Sequence, residues 1–179
     1  MADLRPPRPL HAATLDLHHA VEATAVGAAM AAGRPPRLWY AGWLAMKGAL
    51  HARLDPALAP ASRRAALYAA DLAALGIRAA PPAAVAAHVA WIDATDDPAE
   101  RERRVTGAAY VMVGGALMGG EVIRRRLDPA LPSESFRSPD RATEMAMLQQ
   151  YRQRADCVAE ARACFQALID ACAEIEGWA

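Results

Sequence analysis

The stretch of sequence that decides the fold is Tyr110–Glu121, which reads YVMVGGALMGGE. Its apolar residues fit a helix, yet two glycine pairs, Gly114-Gly115 and Gly119-Gly120, interrupt it. Each interior glycine costs a helix about 0.5–1 kcal/mol relative to alanine, so four cost roughly 2–4 kcal/mol if the costs add. Paired glycines allow a kink and a close approach of the backbone to a partner. We therefore expect a bent helix with a close neighbour at the glycines.

That neighbour is either another helix, the commoner arrangement in helical proteins, or a flat ligand. A phosphate-binding loop is disfavoured, because no Lys-Ser/Thr pair follows the glycines and no strand precedes them. Spacing alone leaves the two alternatives open.

The composition supports one globular domain. The chain has 179 residues, a formal net charge of zero and 54% hydrophobic residues, which excludes intrinsic disorder. A neutral chain has no electrostatic footprint for nucleic acid or an anionic membrane, and no long uncharged apolar run predicts a membrane span. Nineteen of the 20 basic residues are arginine and one, Lys47, is lysine, a bias that also follows from GC-rich codon usage.

Three cysteines, Cys157, Cys164 and Cys172, recur at helical spacing near the end of the chain. An odd number without a CxxC pair indicates reduced thiols, and we interpret them as small core residues. With no targeting peptide at the start of the sequence, this indicates a cytoplasmic protein that binds neither nucleic acid nor a membrane.

Helix stop signals divide the chain clearly, while sustained β-branched alternation is missing. We predict an all-α, single-domain, multi-helical bundle over residues 11–179, preceded by a flexible tail over residues 1–10. The predicted helices run from about residue 12 to 32, from 36 to before 55, from Ser62 to Gly76, from Pro82 past Ile92, from Asp97 to Leu127, and, after a linker over 128–139, to about Glu176.

Near the start of the chain lies a second group of interest, His18-His19 followed by Glu22. A histidine and a carboxylate four residues apart share one helix face, so the acid can orient the imidazole and raise its basicity as a metal ligand. Taken alone, the pair is more often a surface ion pair. His51 and His88 are isolated, so no zinc or di-iron site is predicted.

Together, LHHAVE over residues 17–22 and YVMVGGALMGG over 110–120, in an all-α chain of this length, resemble the bacterial, biliverdin-producing haem oxygenase family. Residues 40–44, RAALYAADL over 64–72 and EARACFQALIDA over 160–171 also resemble family positions. The resemblance spans nearly the whole chain and implies the haem-oxygenase-like helical fold.

The resemblance implies a site residue by residue. His18, rather than His19, would be the axial iron ligand, with Glu22 as its hydrogen-bonding partner. Tyr110, His11 and Arg152 would reach the haem propionates. The glycines would form the distal wall beside Met118, with Gly115 and Gly119 at catalytic positions. The cofactor-binding set is then His11, His18, Glu22, Tyr110, Gly114, Gly115, Met118, Gly119, Gly120 and Arg152.

The distal segment departs from the family at two positions. Family members carry an Asp aligned with Ala116 or a Glu aligned with Val113, and this chain has no carboxylate between Val113 and Gly120. Backbone groups and trapped water would then have to support the distal polar network.

The implied activity is cleavage of haem, both substrate and cofactor, to biliverdin, carbon monoxide and ferrous iron. It would use dioxygen and electrons from a ferredoxin, a flavodoxin-type protein or a reductase. Two alternatives stay open: a haem carrier or sensor of the same fold, and a helical scaffold that binds no haem.

Overall fold

The computed structural model describes residues 8–178, which form a helical bundle without a β-strand in that range. The predicted all-α class is confirmed. The α-helices are α1 (Pro9–Ala12), α2 (Leu15–Ala23), α3 (Ala25–Ala32), α4 (Arg37–Leu54), α5 (Ala65–Leu75), α6 (Ala83–Asp93), α7 (Pro98–Gly115), α8 (Glu121–Arg126), α9 (Arg141–Arg152) and α10 (Val158–Glu176).

The first predicted helix, residues 12–32, is in fact three short helices. The hydroxyl of Thr14 donates to the carbonyl of Leu10 at 2.7 Å, between α1 and α2. The hydroxyl of Thr24 accepts from the amide of Gly27 at 2.9 Å and caps α3. Threonine side chains compete for backbone hydrogen bonds in this way, and the prediction of one continuous helix overlooked them.

The predicted tail falls mostly outside the described residues, of which Arg8 is the first. Its last part differs from the prediction, since Pro9 and Leu10 belong to α1 and Leu10 is fully buried. The folded part therefore begins slightly earlier than residue 11.

The predicted start of α7 is confirmed: the Asp97 carboxylate accepts from the amide of Ala99 at 2.9 Å, and Pro98 occupies the first turn. The helix then runs without interruption into α8 through one π-helical turn, Ala116–Gly120. The whole helix, Pro98–Arg126, is long and apolar enough to cross a membrane by composition, but 61% of its most apolar window is buried in the bundle. A core helix of a globular domain has the same properties.

Two glycines outside the decisive stretch permit close packing against α10. A Cβ on Gly107 of α7 would lie 2.7 Å from the backbone nitrogen of Ala161. A Cβ on Gly42 of α4 would lie 2.8 Å from Cγ1 of Ile175. Helix α10 thus packs directly on the backbone of two other helices, and this close packing suits a core with few aromatic residues.

The linker over residues 128–139 is held tightly to the bundle. The buried carboxylate of Asp71 accepts from the amides of Glu134 at 3.2 Å and Ser135 at 2.9 Å. Tyr40 donates to the carbonyl of Pro132 and stacks on Phe136. These contacts fix Phe136 at the edge of the central cavity.

Two other predicted boundaries are wrong. Ser62 lies in a 3-10 turn and does not cap α5; the Asp55 carboxylate accepts from the amides of Arg64 and Ala65 instead. The last predicted helix is interrupted over residues 153–157, between α9 and α10. The cap of α5 thus comes from Asp55, a residue outside the local pattern that pointed to Ser62.

Candidate functional site

A cavity of about 390 Å³ lies inside the bundle, lined by residues of every α-helix described above except α6 and by the π-helical turn. Its lining is mainly apolar, and its volume falls within the ~300–1,000 Å³ typical of ligand pockets. Every candidate site residue from the sequence lines it: His11, His18, Glu22, Tyr110, Gly114, Gly115, Met118, Gly119, Gly120 and Arg152.

On α2, the two adjacent histidines lie in different environments. His18 lines the cavity and packs edge-on to Phe165 of α10, with ring centroids 6.0 Å apart. His19 is exposed and does not line the cavity. Nε2 of His18 lies 3.3 Å from Oε1 of Glu22, which leaves the other ring nitrogen available to a metal.

The four glycines of the decisive stretch do not all have a packing partner. A Cβ on Gly119 would meet no atom within 4 Å, and one on Gly115 would meet only Nζ of Lys47, at 3.9 Å. A Cβ on Gly114 would touch a side chain of Leu148 at 3.4 Å, and one on Gly120 the carbonyl of Phe136 at 3.1 Å. Packing against another helix therefore does not explain Gly115 and Gly119, which border open cavity space.

Where a bend is predicted at the glycines, the helix changes to a π-helical turn, Ala116–Gly120. A π-helical turn displaces the regular helical hydrogen bonds, and such turns are frequent at functional sites. The guanidinium of Arg141, on α9, donates to the carbonyl of Leu117 within the turn at 2.9 Å. Met118 of this turn lines the cavity and is 51% exposed.

Three predicted polar residues lie together around one part of the cavity. The phenol of Tyr110 lies 3.4 Å from the hydroxyl of Thr14. Burial and the nearby charge of Arg152 lower the pKa of His11, which favours its neutral form. Nε of Arg152 is buried without a hydrogen-bond partner among the described residues, so it can donate to an anionic ligand.

The sequence analysis missed several cavity residues, of which Lys47 is the most unusual. This lysine of α4 is only 8% exposed and lines the cavity, as do Trp43 and Phe136. The signal was present in the sequence, because Lys47 is the only lysine among 20 basic residues. Its burial, however, depends on how α4 packs.

The cavity has no cluster of protein metal ligands. Among residues 8–178, no three His, Cys, Asp or Glu side chains lie close enough to hold an ion together. All three cysteines are free and buried, as expected for core residues. A metal at this site would have to arrive with other ligands, as iron does in a porphyrin.

Comparison with solved structures identifies the fold as that of the haem oxygenases. The crystal structure of haem oxygenase-1 from the cyanobacterium Synechocystis sp., in complex with haem, matches with a TM-score of 0.76 and 17% identity; the match covers 94% of this chain and 90% of that chain. Haem oxygenase from Leptospira interrogans matches with a TM-score of 0.75 and 17% identity, over 92% of this chain and 97% of the other.

No protein-family model matches the sequence, and no curated protein matches it at a significant level. At 17% identity the two structures establish the haem-oxygenase-like fold of this chain, as the resemblance in the sequence implied.

Proposed function

We propose that this protein is a cytoplasmic haem oxygenase that converts haem, with dioxygen and reducing equivalents, to biliverdin, carbon monoxide and ferrous iron. One observation carries the proposal. A single cavity is lined both by a histidine with a carboxylate partner, His18–Glu22, and by a helix with a π-helical turn whose Gly115 and Gly119 leave open space.

The residues present fit a haem. The cavity is apolar enough for a porphyrin, and the bare backbone at Gly119 leaves room for its flat face. Haem propionates need only a few local donors, and Tyr110, Arg152 and the neighbouring His11 can supply them. A net charge of zero is therefore no obstacle to binding.

Each residue then has a physical task. His18 would hold the haem iron through one ring nitrogen, while Glu22 accepts a hydrogen bond from the other nitrogen and keeps the ring in place. The π-helical turn Ala116–Gly120, held by Arg141, would keep the backbone close to the bound haem and exclude water. When bound, the haem supplies the oxygen and electron chemistry, and the protein supplies orientation and a dry environment.

A second function, a haem carrier or sensor without turnover, is favoured by one feature of the sequence. No carboxylate lies between Val113 and Gly120 to organise a proton-donating network. An electron donor such as a ferredoxin, a flavodoxin-type protein or a reductase is required for the enzyme but not for the carrier.

Haem titration tests binding and the role of His18. We expect the wild-type protein to give a sharp Soret band with a histidine-ligated spectrum, and His18→Ala to lose that signature. The matched control is His19→Ala, which changes the adjacent but exposed histidine and should leave the spectrum unchanged. If His19→Ala lost the signature instead, the assignment of the axial ligand would be wrong.

Turnover separates the enzyme from the carrier. Haem-loaded protein is mixed with dioxygen and either ascorbate or a ferredoxin couple, and the Soret band is followed over time. We expect it to decay as a bilin spectrum appears. A stable Soret band under both reductants would support the carrier, and the absence of any haem complex would support neither.

A further inference from the structure

The only lysine of the chain lies inside the bundle. Lys47 occupies the middle of α4 and is only 8% exposed. Its ammonium has one hydrogen bond among the described residues, to the sulfur of Met112 at 3.8 Å, and it lies 5.1 Å from the ring centroid of Trp43. A thioether is a weak acceptor, so most of the hydrogen-bonding capacity of the ammonium is unused.

Within residues 8–178, no negative charge around Lys47 compensates this burial. The titratable groups on α10 that influence it are Cys164 and Cys172. Burial raises the pKa of the Cys164 thiol to about 12 and also raises that of Cys172, so both thiols are neutral at physiological pH. His51, one turn further along α4, has a lowered pKa because of burial, with the charge of Lys47 adding to the effect.

A buried charge without a partner is costly to keep, because the ion loses its hydration and gains little in return. In the described part of the chain, Lys47 forms no ion pair with a carboxylate. A purely structural role is better served by methionine or leucine, which fill the same space without a desolvation penalty.

The ammonium is directed toward the glycines of the cavity wall. Lys47 lines the cavity, and a methyl group placed on Gly115 would lie 3.9 Å from Nζ. A ligand that occupies the open space beside Gly115 is therefore within reach of this donor. Gly115 belongs to the segment Val113–Gly120, which has no carboxylate.

We propose that Lys47 is the hydrogen-bond donor and positive charge that acts on an anionic ligand of the haem iron on the glycine side of the cavity. The proposal rests on the proposed haem-binding function and adds a residue to it. An ammonium has three donors and no acceptor, and in a dry cavity its hydrogen bonds to an anion are strong. Burial also lowers the pKa of Lys47, which makes it a better acid than a surface lysine.

The direct test compares anionic and neutral ligands of the ferric haem complex. Fluoride and azide carry a negative charge, whereas imidazole is neutral, and each changes the optical spectrum on binding. For Lys47→Met, we expect fluoride and azide affinities to fall roughly tenfold to a hundredfold, the usual effect of losing a charged hydrogen bond. Imidazole affinity should change little.

Two variants make the comparison specific. Lys47→Arg retains the charge and should recover part of the fluoride affinity, which a change in cavity volume alone would not do. His19→Ala, outside the cavity, should bind all three ligands as the wild type does.

The outcomes distinguish this proposal from the function on which it rests. If the wild type binds haem but Lys47→Met retains full fluoride and azide affinity, the role of Lys47 is overturned and haem binding stands. A wild type that binds no haem overturns both.

A measurement without haem gives an independent check. If Lys47 is retained for ligand binding, Lys47→Met should not lower the thermal midpoint of the ligand-free protein and should raise it, because a desolvated charge is removed. A clear decrease would show that Lys47 stabilises the fold, and would overturn its assignment to ligand binding.

Discussion

Two glycines of one continuous helix, Gly107 and Gly119, are needed for different reasons. At Gly107 the backbone of α10 is so close that a Cβ would lie 2.7 Å from the nitrogen of Ala161. At Gly119, twelve residues later on the same helix, a Cβ would meet nothing within 4 Å. The first glycine is explained by its neighbour in the fold, whereas the second lowers helix stability without a packing contact that requires it.

This difference shows how a glycine can indicate a ligand. A small residue that permits close packing is part of the fold, and its replacement affects stability. A glycine that borders open cavity space has no such structural reason, so a bound ligand is the more economical explanation. The half of the helix around Gly107, the packed half, and the half around Gly119, the cavity half, should therefore respond differently to the same changes.

The largest effect is expected from Gly107→Ala. The added methyl group would overlap the backbone of α10, which cannot move away by a side-chain rotation. Overpacking typically costs about 1–3 kcal/mol, and the gain in helix propensity of up to about 1 kcal/mol offsets only part of it. We expect a net loss of roughly 2 kcal/mol in the free energy of unfolding, measured with urea. An unchanged midpoint would contradict the close packing described for α7 and α10.

The second-largest effect is expected from low pH, which should destabilise the packed half of the helix. His88 of α6 stacks on Trp91, and Arg104 of α7 lies over the same indole ring at 4.3 Å. Burial lowers the pKa of His88 to about 4 from an ordinary value of 6.5. Between these pH values the unfolded chain binds a proton that the folded protein does not, so stability is lost as the pH falls from 6.5 towards 4.

We expect the contribution of His88 to this loss to be about 1–2 kcal/mol, since each unit of pKa shift corresponds to about 1.4 kcal/mol. It is measured as the difference in unfolding free energy between pH 7 and pH 4.5 for the wild type and for His88→Leu. The variant should lose less stability than the wild type. His19→Leu, at an exposed histidine, should lose as much as the wild type, and equal losses in all three would refute the assignment.

The smallest effect, and one of opposite sign, is expected from Gly119→Ala. With open space around the new methyl group, the ligand-free protein should gain about 0.5–1 kcal/mol from helix propensity. Haem binding, measured by Soret titration, should weaken in the same variant because the methyl group occupies cavity space that the haem would fill. A variant that is more stable and binds haem as tightly as before would show that Gly119 does not contact it.

Much of the fold was predictable from local sequence signals. Gly33 and Gly76 end their helices with positive φ, as glycine stop signals predict, and Asp97-Pro98 starts α7. The breaks at Thr14 and Thr24 and the gap between α9 and α10 were not predicted. At the two threonines, side-chain hydrogen bonds to the local backbone override a weak helical preference.

The candidate site, like the fold, was predictable only in part. The resemblance selected His18 rather than His19, and in the structure His18 lines the cavity, 3.3 Å from Glu22. Arg141, which supports the π-helical turn, was not predicted, since nothing local connects it to Leu117. The haem-binding role of His18 stays a prediction.

By itself, the sequence determined the helical class, the interruption of the regular helix at the glycine pairs and the His18–Glu22 pair, because each depends on residues within one or two turns of a helix. Only the tertiary structure decided that Gly107 packs while Gly119 borders a cavity, and that Lys47 is buried without a counter-charge. Burial is a property of distant segments that pack together, so a glycine or a lysine has the same letter in both environments and acquires its role only when the helices assemble.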